Sequence, residues 1–107
     1  MRSQNVLEIN DLNFDEQVLG SDRPFLLELG ARWCGPCKAL APILTRLADE
    51  HPSALRVGML DIEDSPEVAS RFGVRGVPTL LVFADGREVK RQLGAVGVEK
   101  LRQLAGV

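Results

Sequence analysis

The amino-acid sequence predicts an α/β fold with a mixed sheet and helices on both of its faces. Strand-like and helix-like segments alternate through the first part of the chain, which is typical of parallel strands joined by helices. A hairpin signal, Asp85-Gly86, then separates two further strand-like segments, so part of the sheet should be antiparallel. The chain has 107 residues, of which 45% are hydrophobic and 26% are charged. We therefore expect one soluble domain over residues 1–107.

Turn and capping residues bound the first three elements. Residues 6–9 form a short apolar segment that is typical of a strand. A helix should follow, with Asn13 as its N-cap, Glu16 in the capping-box position and Gly20 at its end. The mostly continuous apolar run over residues 24–31 then indicates a strand that is buried on both faces.

A long helix is expected over residues 34–50. Apolar residues recur there at helical spacing and should face the core: Cys37, Leu40, Ala41, Leu44, Leu47 and Ala48. Pro42 interrupts the pattern and lacks the backbone N–H that a helix interior uses, so it should kink the helix.

The rest of the chain should supply three strands and two helices. We expect the strands at residues 55–62, 77–83 and 88–93, and the helices at residues 65–73 and 98–105. Ser65-Pro66-Glu67 is a strong helix start, because it combines a capping residue, a proline in the first turn and an acid near the positive end of the helix dipole. Gly73 should end that helix.

The two cysteines of the chain, Cys34 and Cys37, lie where the buried strand gives way to the long helix. The first turn of a helix has unpaired N–H groups and a partial positive charge, which favour a thiolate over a thiol. One helical turn places both side chains on one face, so that one can attack a disulfide and the other can resolve the mixed disulfide. Because Cys37 falls on the apolar stripe, it should be less exposed than Cys34. We therefore assign Cys34 as the attacking cysteine and Cys37 as the resolving one.

The residues around the two cysteines suit the same chemistry. Pro36 lies in the first helical turn, where its missing N–H loses no intrahelical hydrogen bond, and Gly35-Pro36 should tune the redox potential of the pair. Trp33 should present a flat apolar surface for docking. An internal zinc site is disfavoured, since tetrahedral zinc needs about four ligands and His51 is the only histidine. We expect no metal; a site shared between two chains, or inert buried cysteines, are the alternatives.

Glu28 is a carboxyl group inside an otherwise apolar strand. Burial should raise its pKa, and so should a nearby thiolate, because both disfavour the charged carboxylate. A raised pKa suits a proton acceptor that works near neutral pH. We hypothesise that Glu28, directly or through a water, takes the proton from Cys37. The alternative is that Glu28 is more exposed than the strand pattern indicates, or pairs with a basic side chain.

Four motifs resemble those of the thioredoxin family, in the family's order and at its spacings: Trp33–Lys38, Ala41-Pro42, Arg75–Thr79 and Gly94. The resemblance covers nearly the whole chain. It implies the thioredoxin fold, a central five-stranded mixed sheet flanked by four helices. It also implies a cis peptide bond between Val77 and Pro78, next to the two cysteines.

The resemblance further implies where a substrate binds. An extended substrate segment would pair with the backbone before Pro78, which makes Gly76, Val77, Pro78 and Gly94 the expected docking residues. Two positions depart from the common family pattern. Many members have a lysine near the buried acid where this chain has Met59, and many have a tryptophan where it has Gly30. Both changes affect the expected reduction potential and partner choice, but not the reaction class.

The expected function is reduction of protein disulfides by a Cys34/Cys37 pair. In the manner of the family, no cofactor should be bound, and electrons should come from an NADPH-linked thioredoxin reductase and pass to disulfide-containing client proteins. The alternatives are a thiol oxidase or isomerase in an oxidising compartment, and a non-catalytic binding module with the same fold.

Composition and patterning limit the other expectations. The net charge of −2 argues against nucleic acid as a partner. Neither a membrane span of about 18 apolar residues nor an apolar signal-peptide core occurs, so we expect a cytoplasmic protein that does not insert into membranes. No heptad pattern or extra cysteine indicates an oligomer, so we expect a monomer.

Overall fold

A computed structural model describes residues 5–107, which form a five-stranded mixed sheet. Its strands are β1 (Val6–Glu8), β2 (Phe25–Gly30), β3 (Arg56–Asp61), β4 (Thr79–Ala84) and β5 (Arg87–Leu93). Their order across the sheet is β1-β3-β2-β4-β5. Strands β1, β3 and β2 run parallel, whereas β4 is antiparallel to both β2 and β5. Residues 1–4 of the expected domain lie outside the described residues.

Four helical segments occur within residues 5–107. Asp15–Leu19 is a short π-helical segment, and the α-helices are α1 (Gly35–Glu50), α2 (Pro66–Arg71) and α3 (Val98–Ala105). The α/β fold class, the mixed five-stranded sheet and the four helices are therefore confirmed. None of these helical segments is both long enough and apolar enough to cross a bilayer.

The central strand β2 divides its side chains between two cores. Successive residues of a strand point to opposite faces of the sheet, so Leu26 packs with α1 and α3, whereas Leu27 packs on the side of α2. By the same alternation, Glu28 and Gly30 lie on the face that α1 covers. This face contains the buried leucines of the two helices: Leu40, Leu44, Leu47, Leu101 and Leu104.

The opposite face contains an aromatic cluster. Phe14, Phe72 and Phe83 are in mutual contact, with ring centroids between 5.3 and 5.6 Å apart. Tilted and edge-to-face contacts of this kind are the favoured arrangements of aromatic rings. The cluster joins the π-helical segment and α2 to the sheet, so both faces of β2 and β4 are buried, as the apolar runs in the sequence predict.

The start of the first helical segment differs from the prediction. Phe14 rather than Asn13 is its N-cap residue, and no side chain caps it. The Asn13 side chain instead donates to the Glu8 carbonyl oxygen at 3.0 Å and accepts the Asn10 N–H at 2.8 Å. The Asn10 side chain in turn accepts the N–H groups of Leu12 and Asn13. Asn13 is therefore used by the turn before the helix, while Gly20 ends the segment as expected.

A side chain that is distant in sequence caps α2. Ser65 stands at the N-cap position but makes no capping hydrogen bond there. The Asp11 carboxylate instead accepts the N–H groups of Glu67 and Val68, at 3.1 and 2.9 Å. Ser65 Oγ accepts the Asp11 N–H at 3.3 Å. The turn after β1 is thereby fixed to the first turn of α2.

The hairpin between β4 and β5 forms where the sequence predicts it. Asp85 and Gly86 have φ values of 54° and 80°, the left-handed conformations that a two-residue turn of this kind needs. Strand β4 begins at Thr79 rather than at residue 77, because Pro78 has no N–H to donate to a neighbouring strand. Helix α1 continues through Pro42; a kink there remains a prediction.

Candidate active site

The two cysteines lie at the start of α1 and are joined by a disulfide. Cys34 is the N-cap residue, with extended backbone angles, and its Sγ accepts the Cys37 N–H at 3.2 Å. Pro36 is in the first turn and Gly35 precedes it, both exposed to solvent. The Cys37 N–H at the start of the helix therefore points towards the Cys34 sulfur, where a thiolate would accept its hydrogen bond.

The expected difference in exposure between the two cysteines is wrong. Cys34 is 4% exposed and Cys37 is 5% exposed. In the disulfide, the two cysteines cluster with Ala31, and Ile62 and Val77 pack against this cluster, so one shared environment shields them. In this oxidised form, solvent exposure of the cysteines therefore does not show which one attacks and which one resolves. Their surroundings do differ, because Cys34 is at the start of the helix and Cys37 is on the side of Glu28.

Glu28 is 1% exposed, so the alternative of an exposed strand position is wrong. Its neighbours across the sheet are Met59 in β3 and Leu80 in β4, and neither side chain carries a charge. Among the described residues, no donor forms a hydrogen bond with its Oε2. Desolvation by burial, and to a smaller degree the negative charge of Asp61, raise the pKa of Glu28 to about 7. A group with this pKa exchanges its proton near neutral pH.

Gly30 lies between Glu28 and Cys37. A Cβ atom at this position would overlap Oε2 of Glu28 and would lie 3.1 Å from Sγ of Cys37. Because both atoms are close to one point, the carboxyl group and the sulfur are neighbours, within the span of one bridging water. The structure therefore brings Glu28 and Cys37 together, as the sequence predicts.

The expected docking residues lie on another side of the disulfide. The Val77-Pro78 bond is cis, as the family resemblance implies. Val77 packs against the cysteines, and the Gly94 N–H donates to the Pro78 carbonyl oxygen at 2.8 Å. Trp33 is 65% exposed, next to Cys34 in the chain. Val77 thus supplies partly exposed apolar surface beside the disulfide, while Pro78 is buried and its carbonyl oxygen is bonded to Gly94.

Two further residues, Leu93 and Asp61, belong to these surroundings and were not predicted from the sequence. Leu93 is 65% exposed at the end of β5, and a Cβ atom on Gly76 would be 3.2 Å from its Cδ1. The available signal was a large apolar residue directly before Gly94, in a strand of mostly charged and polar residues. Asp61 ends β3 beside Gly30, and its Oδ2 accepts the Arg32 N–H at 3.1 Å. The sequence feature that could have identified Asp61 was an acidic residue at the carboxyl end of a parallel strand.

Within residues 5–107, no group of three or more histidine, cysteine, aspartate or glutamate side chains is arranged to hold a metal ion.

Comparisons with known proteins agree with this geometry. The family model described as Thioredoxin matches residues 5–106. A thioredoxin of Mycobacterium tuberculosis (strain ATCC 25618 / H37Rv) is 43% identical over 102 residues, which cover 94% of this chain and 88% of the relative. A thioredoxin of Buchnera aphidicola subsp. Acyrthosiphon pisum is 41% identical over 98 residues, which cover 92% and 91%. A bifunctional thioredoxin reductase/thioredoxin of Mycobacterium leprae is 42% identical over 102 residues, which cover 94% of this chain and 22% of the relative. With its disulfide at the start of α1, the chain belongs to the thioredoxin family of thiol-disulfide oxidoreductases.

Proposed function

We propose that the protein reduces disulfide bonds of other proteins, with Cys34 as the nucleophile and Cys37 as the resolving cysteine. The observation that supports this best is the disulfide at the start of α1, where Cys34 Sγ accepts the Cys37 N–H. A helix start stabilises negative charge on sulfur, and a thiolate is the species that attacks a disulfide.

In the first step, the Cys34 thiolate attacks one sulfur of a client disulfide. A bond forms between Cys34 and that sulfur, the client S–S bond breaks, and the other client sulfur leaves as a thiolate. In the second step, Cys37 loses its proton and attacks the Cys34 sulfur. The mixed disulfide breaks, the second client sulfur leaves as a thiolate, and Cys34 and Cys37 end as a disulfide. The client gains two electrons and the protein loses two.

Glu28 is the proposed acceptor of the Cys37 proton. The carboxyl group is next to Cys37, it is buried, and its pKa of about 7 lets it take a proton near neutral pH and release it again. One bridging water would complete the path between the two groups.

The docking surface is proposed to consist of Trp33, Gly76, Val77, Pro78 and Gly94. An extended client segment would pair with the backbone before Pro78, in the manner of an added strand, while Trp33 supplies apolar contact. Gly35 and Pro36 are proposed to set the redox potential, since they fix the geometry of the loop between the two cysteines.

The proposed electron donor is an NADPH-linked thioredoxin reductase, and the protein itself would bind no cofactor. The name of the Mycobacterium leprae relative joins a thioredoxin reductase and a thioredoxin in one chain, which supports a partner of this kind. Disulfide-containing proteins are the proposed clients. We further propose that residues 1–107 act as one domain, as a monomer, in the cytoplasm.

Insulin reduction in the presence of dithiothreitol tests the proposed reaction. The wild-type protein should accelerate it over dithiothreitol alone, and Cys34→Ser should not. Reduced Cys37→Ser, mixed with insulin in the absence of dithiothreitol, should instead accumulate a mixed disulfide between Cys34 and insulin, visible by mass spectrometry, because the protein has no second thiol to resolve it. No acceleration by the wild type would favour a binding module. A strongly oxidising midpoint in a glutathione titration would favour an oxidase or isomerase.

The pH dependence of insulin reduction tests the role of Glu28. The rate of the wild-type protein should fall as the pH decreases through about 7, because protonated Glu28 no longer accepts the Cys37 proton. Glu28→Gln should be slower and should lack this inflection. An identical pH profile in the two proteins would contradict the proposed role.

A further inference from the structure

A cleft of about 740 Å³ opens beside the disulfide at the carboxyl ends of β1, β3 and β2. Its volume lies in the usual range of small-molecule sites, and the carboxyl ends of parallel strands are where such sites occur in open α/β sheets. The described lining includes Cys37 but none of the proposed docking residues. The cleft is therefore a second approach to the disulfide, separate from the surface on which clients are proposed to dock.

The inner wall of the cleft contains a buried carboxyl group. Glu28 lines the cleft, is 1% exposed, and has an Oε2 that accepts no hydrogen bond from the described residues. A buried polar atom without a donor is unfavourable, so a donor that enters the cleft would be bound favourably there. Gly30 makes room for this carboxyl group at the wall of the cleft, because a Cβ atom at that position would overlap Oε2.

The remaining walls combine apolar side chains with negative charge. Ala41 and Met59 supply apolar surface, whereas the side chains of Ile9 and Leu60, which also line the cleft, are almost fully buried in the core. The charged and titratable groups of the described lining, besides Cys37, are five acids and two bases: Glu8, Asp11, Glu28, Asp61, Asp64, Arg32 and Lys38. Arg32 is paired with Asp64, which leaves negative charge in excess near Glu28. This excess favours a cation over an anion.

We propose that this cleft binds small organic cations that carry a primary ammonium group on a compact apolar body. The ammonium group donates to the Glu28 carboxylate, and the apolar body contacts Met59 and Ala41. A charge-assisted hydrogen bond inside a partly closed site is stronger than one at the surface, which makes the carboxylate the main determinant of binding. Binding needs no exchange of electrons, so this site stands independently of the proposed disulfide reduction.

Isothermal titration of the oxidised protein with benzylammonium, at about pH 8, tests the proposal. Benzyl alcohol is the neutral comparison, since it has the same apolar body without the charge. We expect saturable binding of benzylammonium, with benzyl alcohol and the Glu28→Gln protein each about tenfold weaker or more, as loss of a charge-assisted hydrogen bond predicts. Equal affinities of wild type and Glu28→Gln for benzylammonium would overturn the proposal.

A pair of helix variants locates the binding. Ala41→Leu fills the cleft from α1, whereas Ala39→Leu adds the same side chain at an exposed position of the same helix, outside the described lining. Ala41→Leu should abolish benzylammonium binding and Ala39→Leu should preserve it. Equal binding by both variants would overturn the proposal. Circular dichroism spectra of each variant should be recorded to check that it is folded. Because only the oxidised protein is titrated, the result does not depend on reductase activity.

Discussion

Replacing Glu28 with glutamine should stabilise the oxidised protein in a manner that depends on pH. The carboxyl group is buried beside Met59 and Leu80, so ionisation places a charge where neither neighbour across the sheet can compensate it. Glutamine has nearly the same shape but cannot ionise. The variant therefore removes the energetic penalty of ionisation and keeps most of the packing.

The magnitude follows from the shift in pKa. Burial and the nearby Asp61 raise the pKa of Glu28 from 4.5 to about 7. At roughly 1.4 kcal/mol for each unit of pKa, ionised Glu28 destabilises the folded protein by about 3 kcal/mol. Between pH 4.5 and about 7, the folded state binds more protons than the unfolded state, so the stability of the wild type falls as the pH rises. Above about pH 7, Glu28 is ionised in both states and the folded protein carries the full destabilisation of about 3 kcal/mol.

Urea denaturation at several pH values measures this effect. The free energy of unfolding of Glu28→Gln, relative to wild type, should rise by about 3 kcal/mol from about pH 4 to about pH 8. The value at low pH is the baseline, because there both side chains are uncharged. Glu16→Gln, at an exposed position, reports the general effect of removing one negative charge. The reasoning would be refuted by a flat Glu28→Gln profile, or by one that falls with pH.

Three further predictions concern other parts of the molecule. Gly58→Ala places a Cβ atom 2.8 Å from the nearest side-chain atom and should lower the free energy of unfolding by ~1–3 kcal/mol in urea denaturation. Gly97→Ala, whose Cβ meets no atom within 4 Å, should lower it less. Leu93→Ser should raise the KM for insulin by about threefold or more with little change in kcat, because it removes apolar contact beside Gly76, a proposed docking residue. Val89→Ser, exposed in the same strand, is its control; equal KM values would contradict a docking role. Asp11→Ala removes the acceptor of two N–H groups of α2 and should lower thermal stability by ~1–2 kcal/mol, whereas Asp11→Asn, which keeps one acceptor oxygen, should lose less. Equal losses in the two variants would argue against capping.

Local patterns were sufficient to predict most of the fold. The alternation of strands and helices, the Asp85-Gly86 turn and the apolar stripe of α1 depend on neighbours within a few residues, and the structure contains all three. The same holds for Glu28, because a charged residue inside an apolar strand is visible in the sequence. Side chains alternate between the two faces of β2, which places Glu28 on the buried face that α1 covers. Cys37 lies in the first turn of α1, so the two residues are neighbours.

The features that sequence reasoning missed depend on distant contacts. Asp11 caps α2 across 56 positions of the chain, and no local pattern indicates that pairing. The equal burial of Cys34 and Cys37 arises from Ile62 and Val77, which reach the disulfide from other elements. The cleft likewise requires the ends of three strands to meet, so its walls could not be assembled from one segment.

The position of Glu28 also bears on how the sheet selects its pairing during folding. Strand β2 is apolar on both faces, so its hydrophobic pattern alone distinguishes poorly between the native alignment and one displaced by a single residue. Such a displacement would turn the carboxyl group away from the cleft, towards the face where Phe14, Phe72 and Phe83 pack together. A carboxyl group inserted among aromatic rings would lie away from the cleft in a wholly apolar environment, and misaligned chains would be penalised accordingly. The acid proposed to move a proton thus also helps a uniformly apolar strand to find one partner alignment.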